Sequence, residues 1–493
     1  MPWLAPEALA GIFAAWMMLS PRSAAFVGYL SGLVFFSANA SWFGETAGKL
    51  MGPYAFVIVL GPAALEALAF ALAATLTAIA ARHLSDNWIP WATASGFTLA
   101  EILRSTGVLG LPMYQIGSAF VATPFAPLLA YGGVYTVTFV IALIAATLGI
   151  YLRRPEKPNI VRLVLFIIGI TFVSMSAWMS WPAKDLPTGT IHVAAIQGNL
   201  KQSVSWNPKD VPIAIKRYTD MTRSISSFHP QFVLWPETVI TDYLQIDSHT
   251  AAVPSNAKLA AAAKAQREQF GALAKELHTN LAVGSNEFTE TGSYNDLFFF
   301  APNGKMSSVY RKHQLVPFAE FLPGPTWLRK LPFAPLVSDM RSGNEMQSLG
   351  PLRVSPLICW EADFGDLASR EAARGAAFFA VATDDAWFGT SDGPYQQAEI
   401  AQLRAIETGR WIVRAATTGI SGIISPDGNW QSQADIGSQK VITGTIGEPL
   451  STIYNRIGPT GASLGILVIG IIAFWLGRKP TAKNPKNRET NAV

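Results

Sequence analysis

The sequence predicts a multi-pass α-helical membrane domain joined to a layered α/β domain. Half of the 493 residues are hydrophobic and only 14% are charged, which is too apolar for a single soluble domain. Residues 1–182 and 458–477 carry almost no charge, whereas residues 189–452 have an ordinary soluble composition. Within that soluble part, apolar strands alternate with helical stretches, a pattern typical of sheets covered by helices.

Seven apolar segments are candidate membrane helices. They cover approximately residues 7–20, 23–43, 54–82, 88–105, 124–152, 160–182 and 458–477. Most reach the roughly 20 residues that a helix needs to cross a bilayer. No basic region precedes the first segment, so it does not resemble a cleaved signal peptide. We therefore expect about six membrane helices in residues 1–182 and a C-terminal one at 458–477.

Basic residues predict how these helices are oriented. One cluster precedes the sixth segment and another follows the seventh, and such clusters favour the cytoplasmic side. They comprise Arg153, Arg154, Lys157 and Arg162, and then Arg478, Lys479, Lys483, Lys486 and Arg488. Residues 189–452 are then expected outside the cytoplasmic membrane, and the basic tail 478–493 inside. Counting six helices back also places Met1 outside, so we expect either a translocated N-terminus or a further helix upstream.

Few ionisable residues interrupt the apolar segments. Glu66 lies in the middle of the third segment, and Glu101 and Arg104 lie near the end of the fourth. Such residues either line a substrate path or form polar contacts between helices, and the second interpretation is favoured. Gly28 and Gly32 suit closely packed helices.

The soluble part, residues 189–452, is expected to be one α/β domain. Its predicted strands are 190–197, 232–235, 280–285, 295–301, 309–310, a strand leading to Cys359, 378–381, 411–417 and 420–425. Its predicted helices are 213–225, 256–278, 365–374 and 393–410. The turn signal at residues 426–428 is expected to close the pattern.

Charge and cysteine content exclude several classes of protein. The net charge of +4 is small and the basic residues form no cluster with aromatic residues, so we expect no nucleic-acid partner. Cys359 is the only cysteine, which rules out an intrachain disulfide. We predict no metal site and no cofactor.

Three predicted strand ends carry side chains suited to catalysis. The first ends at Trp235–Pro236–Glu237, the second surrounds Lys312, and the third is Pro356–Leu357–Ile358–Cys359–Trp360–Glu361. Each is ambiguous alone, because a free cysteine is usually a small buried hydrophobe and a charged residue after a strand is usually solvated. Together they supply a base, a cation and a thiol.

Acyl transfer through a thiol needs this set of groups. A thiol must lose its proton before it attacks a carbonyl, and a carboxylate can take that proton and return it to the leaving group. A lysine ammonium can stabilise the thiolate and the oxyanion of the tetrahedral intermediate. The backbone N–H of Trp360, directly after the thiol, can do the same.

These stretches resemble the nitrilase superfamily of carbon–nitrogen hydrolases, and most fully its membrane-embedded branch, the apolipoprotein N-acyltransferases. The resemblance covers nearly the whole chain. It rests on residues 195–199 with Gln202 and Trp206, on 235–237, on Tyr294–Asn295, on Lys312 with 315–323, on 359–361, on 385–389, on 404–407 and on Arg414.

The resemblance implies an α/β nitrilase-like α-β-β-α sandwich and specific residue roles. Glu237 is expected to be the general base, Lys312 the oxyanion-stabilising cation and Cys359 the nucleophile. The expected supporting residues are Glu320, Trp360 and Glu361, and the expected substrate-binding residues are Trp206, Tyr294, Asn295 and Trp387.

Three positions depart from the family pattern. Ala319 stands where the family usually has Gly, Trp360 where it has Tyr, and Asp384 where it has Asn. None of these removes a member of the expected triad, but Trp360 puts in doubt any role that needs a phenolic hydroxyl.

The resemblance also implies the reaction. Cys359 would take an acyl chain from a membrane phospholipid as a thioester and pass it to the α-amino group of a diacylglyceryl apolipoprotein. This implies a bacterial inner-membrane protein with a periplasmic catalytic domain. The stretch 321–337, which is rich in proline and large apolar residues such as Trp327, is expected to be a mobile lid at the lipid interface.

Two other functions are compatible with parts of the sequence. A membrane-tethered amidase would release its acyl group to water, but it would not need the helices. A transporter would need paired intramembrane charges or broken-helix repeats, which the sequence does not convincingly supply.

Overall fold

The computed structural model describes residues 2–44, 55–107, 109–153, 160–179, 189–200, 210–246, 254–290, 292–324, 326–330, 337–343 and 350–479. The helices up to residue 179 are α1 (Ala5–Met18), α2 (Pro21–Asn39), α3 (Ala55–His83), α4 (Ile89–Arg104), α5 (Leu129–Arg153) and α6 (Ile160–Met179). Each falls on one of the predicted apolar segments. Trp206, the lid residues 325 and 331–336, and the tail from 480 lie outside the described residues.

The membrane helices differ in length, as the predicted apolar segments do. By length and composition, three helical stretches within the described residues can cross a bilayer: Val59–His83, Ala126–Arg153 and Ile453–Gly477. α1 has 14 residues and α4 has 16, which is shorter than the roughly 20 residues that a helix needs to cross a bilayer. Both helices end within two residues of the predicted segment ends, residues 20 and 105.

Small residues let α2 pack closely on α3. A β-carbon on Gly28 would lie 2.6 Å from Cβ of Ala74, and one on Gly32 would lie 2.9 Å from Cα of Ala67. Larger side chains would therefore push the helices apart. The prediction that these glycines serve helix packing is confirmed.

The ionisable residues of the third and fourth segments contact each other. Arg104 Nη1 donates to Glu66 Oε2 at 3.1 Å and to the carbonyl oxygens of Leu111 and Met113 at 2.7 and 3.0 Å. Glu101 accepts from the Thr138 hydroxyl of α5 at 2.9 Å. This cluster joins α3, α4, α5 and the loop before α5, so the interpretation as polar contacts between helices is confirmed.

Two β-sheets form the centre of the second domain. The first has the order β12-β1-β2-β4-β5-β6, with β3 paired to the end of β4, and the second has the order β11-β10-β9-β8-β7. The strands of the first half are β1 (Ile191–Gln197), β2 (Phe232–Leu234), β3 (Ile240–Ile246), β4 (Asn280–Thr289), β5 (Gly292–Phe300) and β6 (Met306–Arg311). The others are β7 (Val354–Ile358), β8 (Phe378–Thr383), β9 (Trp411–Ala416), β10 (Ser421–Ile424), β11 (Trp430–Ala434) and β12 (Lys440–Ile446).

Helices cover the outer face of each sheet. On the first sheet lie α7 (Val211–Arg223) and α8 (Pro254–Glu276), whose apolar residues share a core with the outward side chains of β1, β2 and β4. On the second lie α9 (Gly365–Ala373) and α10 (Gly393–Thr408). The inward side chains of both sheets form one core between them. This is the predicted α-β-β-α sandwich.

Three strands were not predicted. The sequence pattern was expected to close after residue 425, yet β11 and β12 follow, and β3 occurs after Glu237. β12 is central to the fold because it pairs with β1 in antiparallel register along the whole of that strand. Both late strands keep one face partly exposed and carry polar residues there, so they lack the apolar run by which the other strands are recognised.

The sandwich is attached to the membrane helices on the side of α10. Glu407 of α10 accepts a hydrogen bond from the backbone N–H of Val134 in α5 at 2.7 Å, and it pairs with Arg404 at 3.0 Å. The final helix α11 (Ile453–Gly477) begins beside them, where Thr452 donates to the Glu407 carbonyl oxygen at 2.7 Å.

Candidate active site

Cys359 lies on a sharp turn at the end of β7. Its φ of +51° is in the left-handed region, which is unfavourable for a residue with a side chain. A short 3₁₀ helix, Cys359–Asp363, starts there. The turn presents the half-buried thiol beyond the edge of the sheet instead of burying it within the strand.

Glu361 holds this turn in place. Its Oε2 accepts from the backbone N–H of Ile358 at 2.7 Å, and its Oε1 accepts from the Tyr310 hydroxyl at 2.8 Å. The same Oε1 accepts from the backbone N–H groups of His313 and Gln314 at 2.7 and 3.1 Å. This fully buried carboxylate therefore ties the cysteine turn to the segment that carries Lys312.

A second cluster brings together Glu237, Lys312, Glu320 and Asn295. Lys312 Nζ donates to Glu237 Oε1 at 3.1 Å and to Glu320 Oε1 at 2.9 Å. Asn295 Nδ2 donates to the same two oxygens, at 2.7 and 3.0 Å. The two carboxylates thus share an ammonium and an amide, and Lys312 and Asn295 are both almost fully buried.

The carboxylates keep Lys312 charged. Burial by itself lowers the pKa of the Lys312 ammonium, but Glu237 and Glu320 outweigh it and raise that pKa well above its ordinary value. A permanently charged ammonium can stabilise an oxyanion without changing its own protonation state.

The thiol is held in its protonated form. Burial and the nearby Glu237 carboxylate raise the pKa of the Cys359 thiol well above its ordinary value, and the Lys312 ammonium only partly opposes them. The Glu237 carboxylate and the Lys312 ammonium therefore both act electrostatically on the thiol. Because the thiol keeps its proton at neutral pH, it can attack a carbonyl only if a base removes that proton as the bond forms.

The other predicted site residues are placed differently. Trp360 is buried with its ring 5.7 Å from that of Phe364, and Trp387 is half-buried in the 3₁₀ helix Asp385–Phe388. Tyr294 lies on the face of β5 opposite to Asn295, with its ring 4.5 Å from the guanidinium carbon of Arg311. Of the predicted lid, Trp327 is described and is 58% exposed.

Comparison with known proteins identifies this arrangement. The profile of the apolipoprotein N-acyltransferase N-terminal domain matches residues 1–147, and that of the carbon-nitrogen hydrolases matches residues 192–453. An apolipoprotein N-acyltransferase from Pseudomonas putida is 30% identical over 465 residues, which is 90% of this chain and 86% of the relative. The chain belongs to the apolipoprotein N-acyltransferase family.

Other members of the family match over similar lengths. The apolipoprotein N-acyltransferase of Pseudomonas aeruginosa is 30% identical over 94% of this chain and 89% of its own, and that of Methylococcus capsulatus is 29% identical over 97% and 92%. Among solved structures, a cysteine variant of the Nesterenkonia amidase from the nitrilase superfamily matches with 17% identity and a TM-score of 0.40, covering 57% of this chain and 98% of that chain. As a member of the family, the protein is a membrane N-acyltransferase that acts in lipoprotein maturation.

Some residues of this family site were not identified from the sequence. The backbone N–H of Asp384 donates to Glu237 Oε2 at 2.8 Å, which leaves both oxygens of that carboxylate bonded. Asp384 itself accepts from the Thr417 hydroxyl and from the Ala386 N–H, and burial raises the pKa of its carboxyl to about 7. The contact between the Asp384 N–H and Glu237 could not be recognised from a pattern of side chains, because its donor is a backbone group.

A buried ion pair supports the loop that carries Asp384. Arg414 Nη2 donates to Asp385 Oδ2 at 2.8 Å, and Thr383 donates to Asp385 Oδ1 at 2.7 Å. Arg414 and Asp385 have no exposed side-chain surface. The pair therefore fixes the end of β8 beside Glu237.

Proposed function

We propose that this enzyme transfers an acyl chain from a membrane phospholipid, through a thioester on Cys359, to the α-amino group of a diacylglyceryl-cysteine at the N-terminus of an apolipoprotein. The observation that carries the proposal is the convergence of Glu237, Lys312 and Cys359 within a family of N-acyltransferases. A protonated thiol, a carboxylate and a fixed ammonium are the groups that the two half-reactions require.

In the first half-reaction, the Cys359 sulfur attacks the ester carbonyl carbon of the phospholipid while Glu237 accepts the thiol proton. The oxyanion of the tetrahedral intermediate is stabilised by the Lys312 ammonium and the backbone N–H of Trp360. The C–O bond of the ester then breaks, and Glu237 returns the proton to the departing oxygen. The products are an acyl thioester and a lysophospholipid.

In the second half-reaction, the neutral α-amino group of the acceptor attacks the thioester carbon. Glu237 accepts a proton from the nitrogen, the C–S bond breaks, and the proton returns to the Cys359 sulfur. The amide product forms and the resting thiol is restored.

Supporting roles follow from the contacts described above. Glu320 and Asn295 hold Lys312 and Glu237 at hydrogen-bonding distance, and Glu361 positions the cysteine turn. The Asn295 amide nitrogen is used by the carboxylates, which favours a positioning role over direct contact with substrate. Tyr294, Trp206 and Trp387 are proposed to bind substrate on the resemblance alone.

We also propose the division into a membrane part at 1–182, a catalytic domain at 189–452, a last membrane helix at 458–477 and a cytoplasmic tail at 478–493.

Two features support a periplasmic catalytic domain on the bacterial inner membrane. Val134 contacts the catalytic domain, and Arg153 lies 19 residues along the same helix, roughly 28 Å away at 1.5 Å per residue. Arg478, at the far end of α11, pairs with Leu84 after α3, so Arg153 and Arg478 both lie at helix ends away from the sandwich.

A transfer assay in lipid vesicles or detergent tests the proposal. Purified protein is mixed with a phospholipid and a synthetic diacylglyceryl-cysteine peptide, and the products are identified by mass spectrometry. We expect acylated peptide and lysophospholipid in equal amounts. Free fatty acid with no acylated peptide would instead indicate a hydrolase that releases its acyl group to water.

A further inference from the structure

Behind the catalytic cluster, β5 and β6 carry a second group of charged residues. Successive residues of a strand face opposite sides of a sheet. Asn295 and Lys312 face the catalytic cluster, and their neighbours Asp296 and Arg311 face the helix side. Asp296 and Arg311 are directly opposite each other in the β5–β6 ladder, and the N–H of Lys312 donates to the Asn295 carbonyl oxygen at 2.8 Å.

Glu287 of β4 is the carboxylate of this second group whose two oxygens both accept hydrogen bonds. Its Oε2 accepts from Arg311 Nε at 2.6 Å and its Oε1 accepts from Gln245 Nε2 at 2.6 Å. Its side chain is 1% exposed. Two strong donors therefore stabilise the negative charge of Glu287 in a buried position.

Asp296 lies against Glu287 but lacks such donors. It is fully buried, and no N–H or O–H donor within the described residues reaches either of its carboxylate oxygens. An ionised carboxylate cannot remain in that position beside a second one. Burial first, and then Glu287, raise the pKa of Asp296 to about 9. Asp296 is accordingly neutral at physiological pH, and its O–H donates a hydrogen bond to Glu287.

We propose that Asp296, as a neutral carboxyl that donates to Glu287, is a positioning residue for Asn295 and Lys312. The inference rests on the proposed role of Lys312 at the active site. A residue that is merely buried would not have this role. The part of the β5–β6 pair that carries Asn295 and leads to Lys312 keeps its position only while the Asp296 carboxyl is protonated.

Ionisation of Asp296 has a defined consequence. The charged groups that face it are Glu287 on β4 and Arg311 on β6, with the Tyr294 ring against the guanidinium. Above the pKa of Asp296, two buried carboxylates compete for one guanidinium, and the β5–β6 pair is pushed apart beside Lys312. Acyl transfer should therefore fall at alkaline pH through loss of kcat.

Asp296→Asn tests this directly, because the amide is nearly isosteric with the neutral carboxyl and can still donate to Glu287. We expect activity equal to wild type at pH 7. The ratio of variant to wild-type kcat should rise several-fold between pH 7 and pH 10, because the wild-type carboxyl loses its proton in this range and the variant amide cannot. Comparing the ratio at each pH cancels the titration of the acceptor amine and of Cys359. The matched control is Asp220→Asn at an exposed position on α7, for which the ratio should stay at one.

A second variant and a stability measurement keep the inference open to refutation. In Glu287→Gln, a neutral amide replaces the carboxylate that contacts both Arg311 and Asp296. This variant should have a lower kcat and an unchanged KM. A ratio for Asp296→Asn that is constant with pH, or a large loss of activity at pH 7, would overturn the positioning role.

Thermal unfolding separates this inference from the proposed reaction. The folded-state pKa of Asp296 is raised above its ordinary value of 3.8, so the carboxyl destabilises the native state progressively as pH rises towards 9. The melting temperature of Asp296→Asn should exceed that of wild type by a margin that widens from pH 5 to pH 9. If the difference in melting temperature widens with pH but the kcat ratio stays constant, Asp296 is neutral in the folded protein but does not position Asn295 and Lys312. If the difference in melting temperature does not change with pH, Asp296 is not held neutral in the folded protein.

Discussion

At the scale of single residues, Glu237 is a carboxylate whose two oxygens are both hydrogen-bonded in the site. It accepts hydrogen bonds from Lys312, Asn295 and the Asp384 N–H, which together orient it and stabilise its charge. A carboxylate held in this way can accept a proton from the thiol without rearranging. The nearby Cys359 needs such a base, because its own pKa is raised.

Glu237→Gln should slow acylation by about 10²- to 10⁴-fold, because an amide cannot accept the thiol proton. Lys312→Arg should lose at least about 10²-fold, since a planar guanidinium does not replace a compact ammonium between two carboxylates. Initial rates of lysophospholipid release measure both effects. Glu290→Gln and Lys305→Arg, at exposed positions on neighbouring turns, are the matched controls and should behave as wild type. Near-normal turnover in either site variant would exclude the role assigned to that residue.

The sequence predicts which side chains meet at the site better than it predicts how they are held. Glu237, Lys312 and Cys359 each follow an apolar strand, and the ends of such strands meet in a layered α/β fold. The Asp384 N–H and the amide of Asn295 act through tertiary geometry, so no local pattern reveals their contacts. Tyr294, adjacent to Asn295 in sequence, faces the other side of the sheet because side chains alternate along a strand.

At the scale of elements, the contact between α10 and α5 connects the catalytic domain to the membrane helices. Glu407 bonds the Val134 N–H near the start of the regular part of α5, directly after a kink at Gly132 and Gly133. A β-carbon on Gly133 would lie 2.9 Å from a carboxylate oxygen of Glu407, and the φ of Gly133 is +69°. Glycine is therefore required for the approach.

Glu407→Ala should destabilise the protein by about 3–5 kcal/mol, because it leaves the buried Arg404 and the Val134 N–H without their partner. Thermal unfolding in detergent measures the loss. Glu399→Ala, an exposed position on the same helix, is the control and should be nearly neutral. If both variants unfold at the wild-type temperature, the contact does not hold the two parts together.

Element boundaries were predictable where apolar residues are continuous and were missed where they alternate with polar ones. The helices and the buried strands β1, β2, β7, β8 and β9 were anticipated. β12 was missed because Thr443 and Thr445 lie on a partly exposed face of an otherwise short apolar stretch. Its pairing with β1 depends on residues about 250 positions apart, a relation that local periodicity does not contain.

At the scale of the whole molecule, Arg153 and Arg478 lie at the ends of α5 and α11 that are away from the catalytic domain. The last helix begins beside α10, where Asn455 donates to the Thr408 carbonyl oxygen at 2.7 Å. It ends where the Lys479 N–H donates to the His83 carbonyl oxygen at 2.9 Å. If the basic end is cytoplasmic, the sandwich is on the other side of the membrane, where apolipoproteins would be met.

Reporter fusions test this orientation. Alkaline phosphatase needs disulfides that form only outside the cytoplasm, so a fusion after Pro187 should be active and one after Lys479 should be inactive. Each fusion is accompanied by an immunoblot that confirms equal expression. A silent fusion after Pro187 in a protein that still transfers acyl chains would overturn the orientation.

The central claim is that Cys359 carries the acyl chain as a thioester, and the intact mass of the enzyme tests it most directly. After incubation with phospholipid and no acceptor, wild type should gain the mass of one acyl chain on the peptide that contains Cys359. Neutral hydroxylamine should remove it, the acceptor peptide should discharge it, and Cys359→Ala should not acquire it. An adduct that resists hydroxylamine, or one that forms on another residue, would contradict the account.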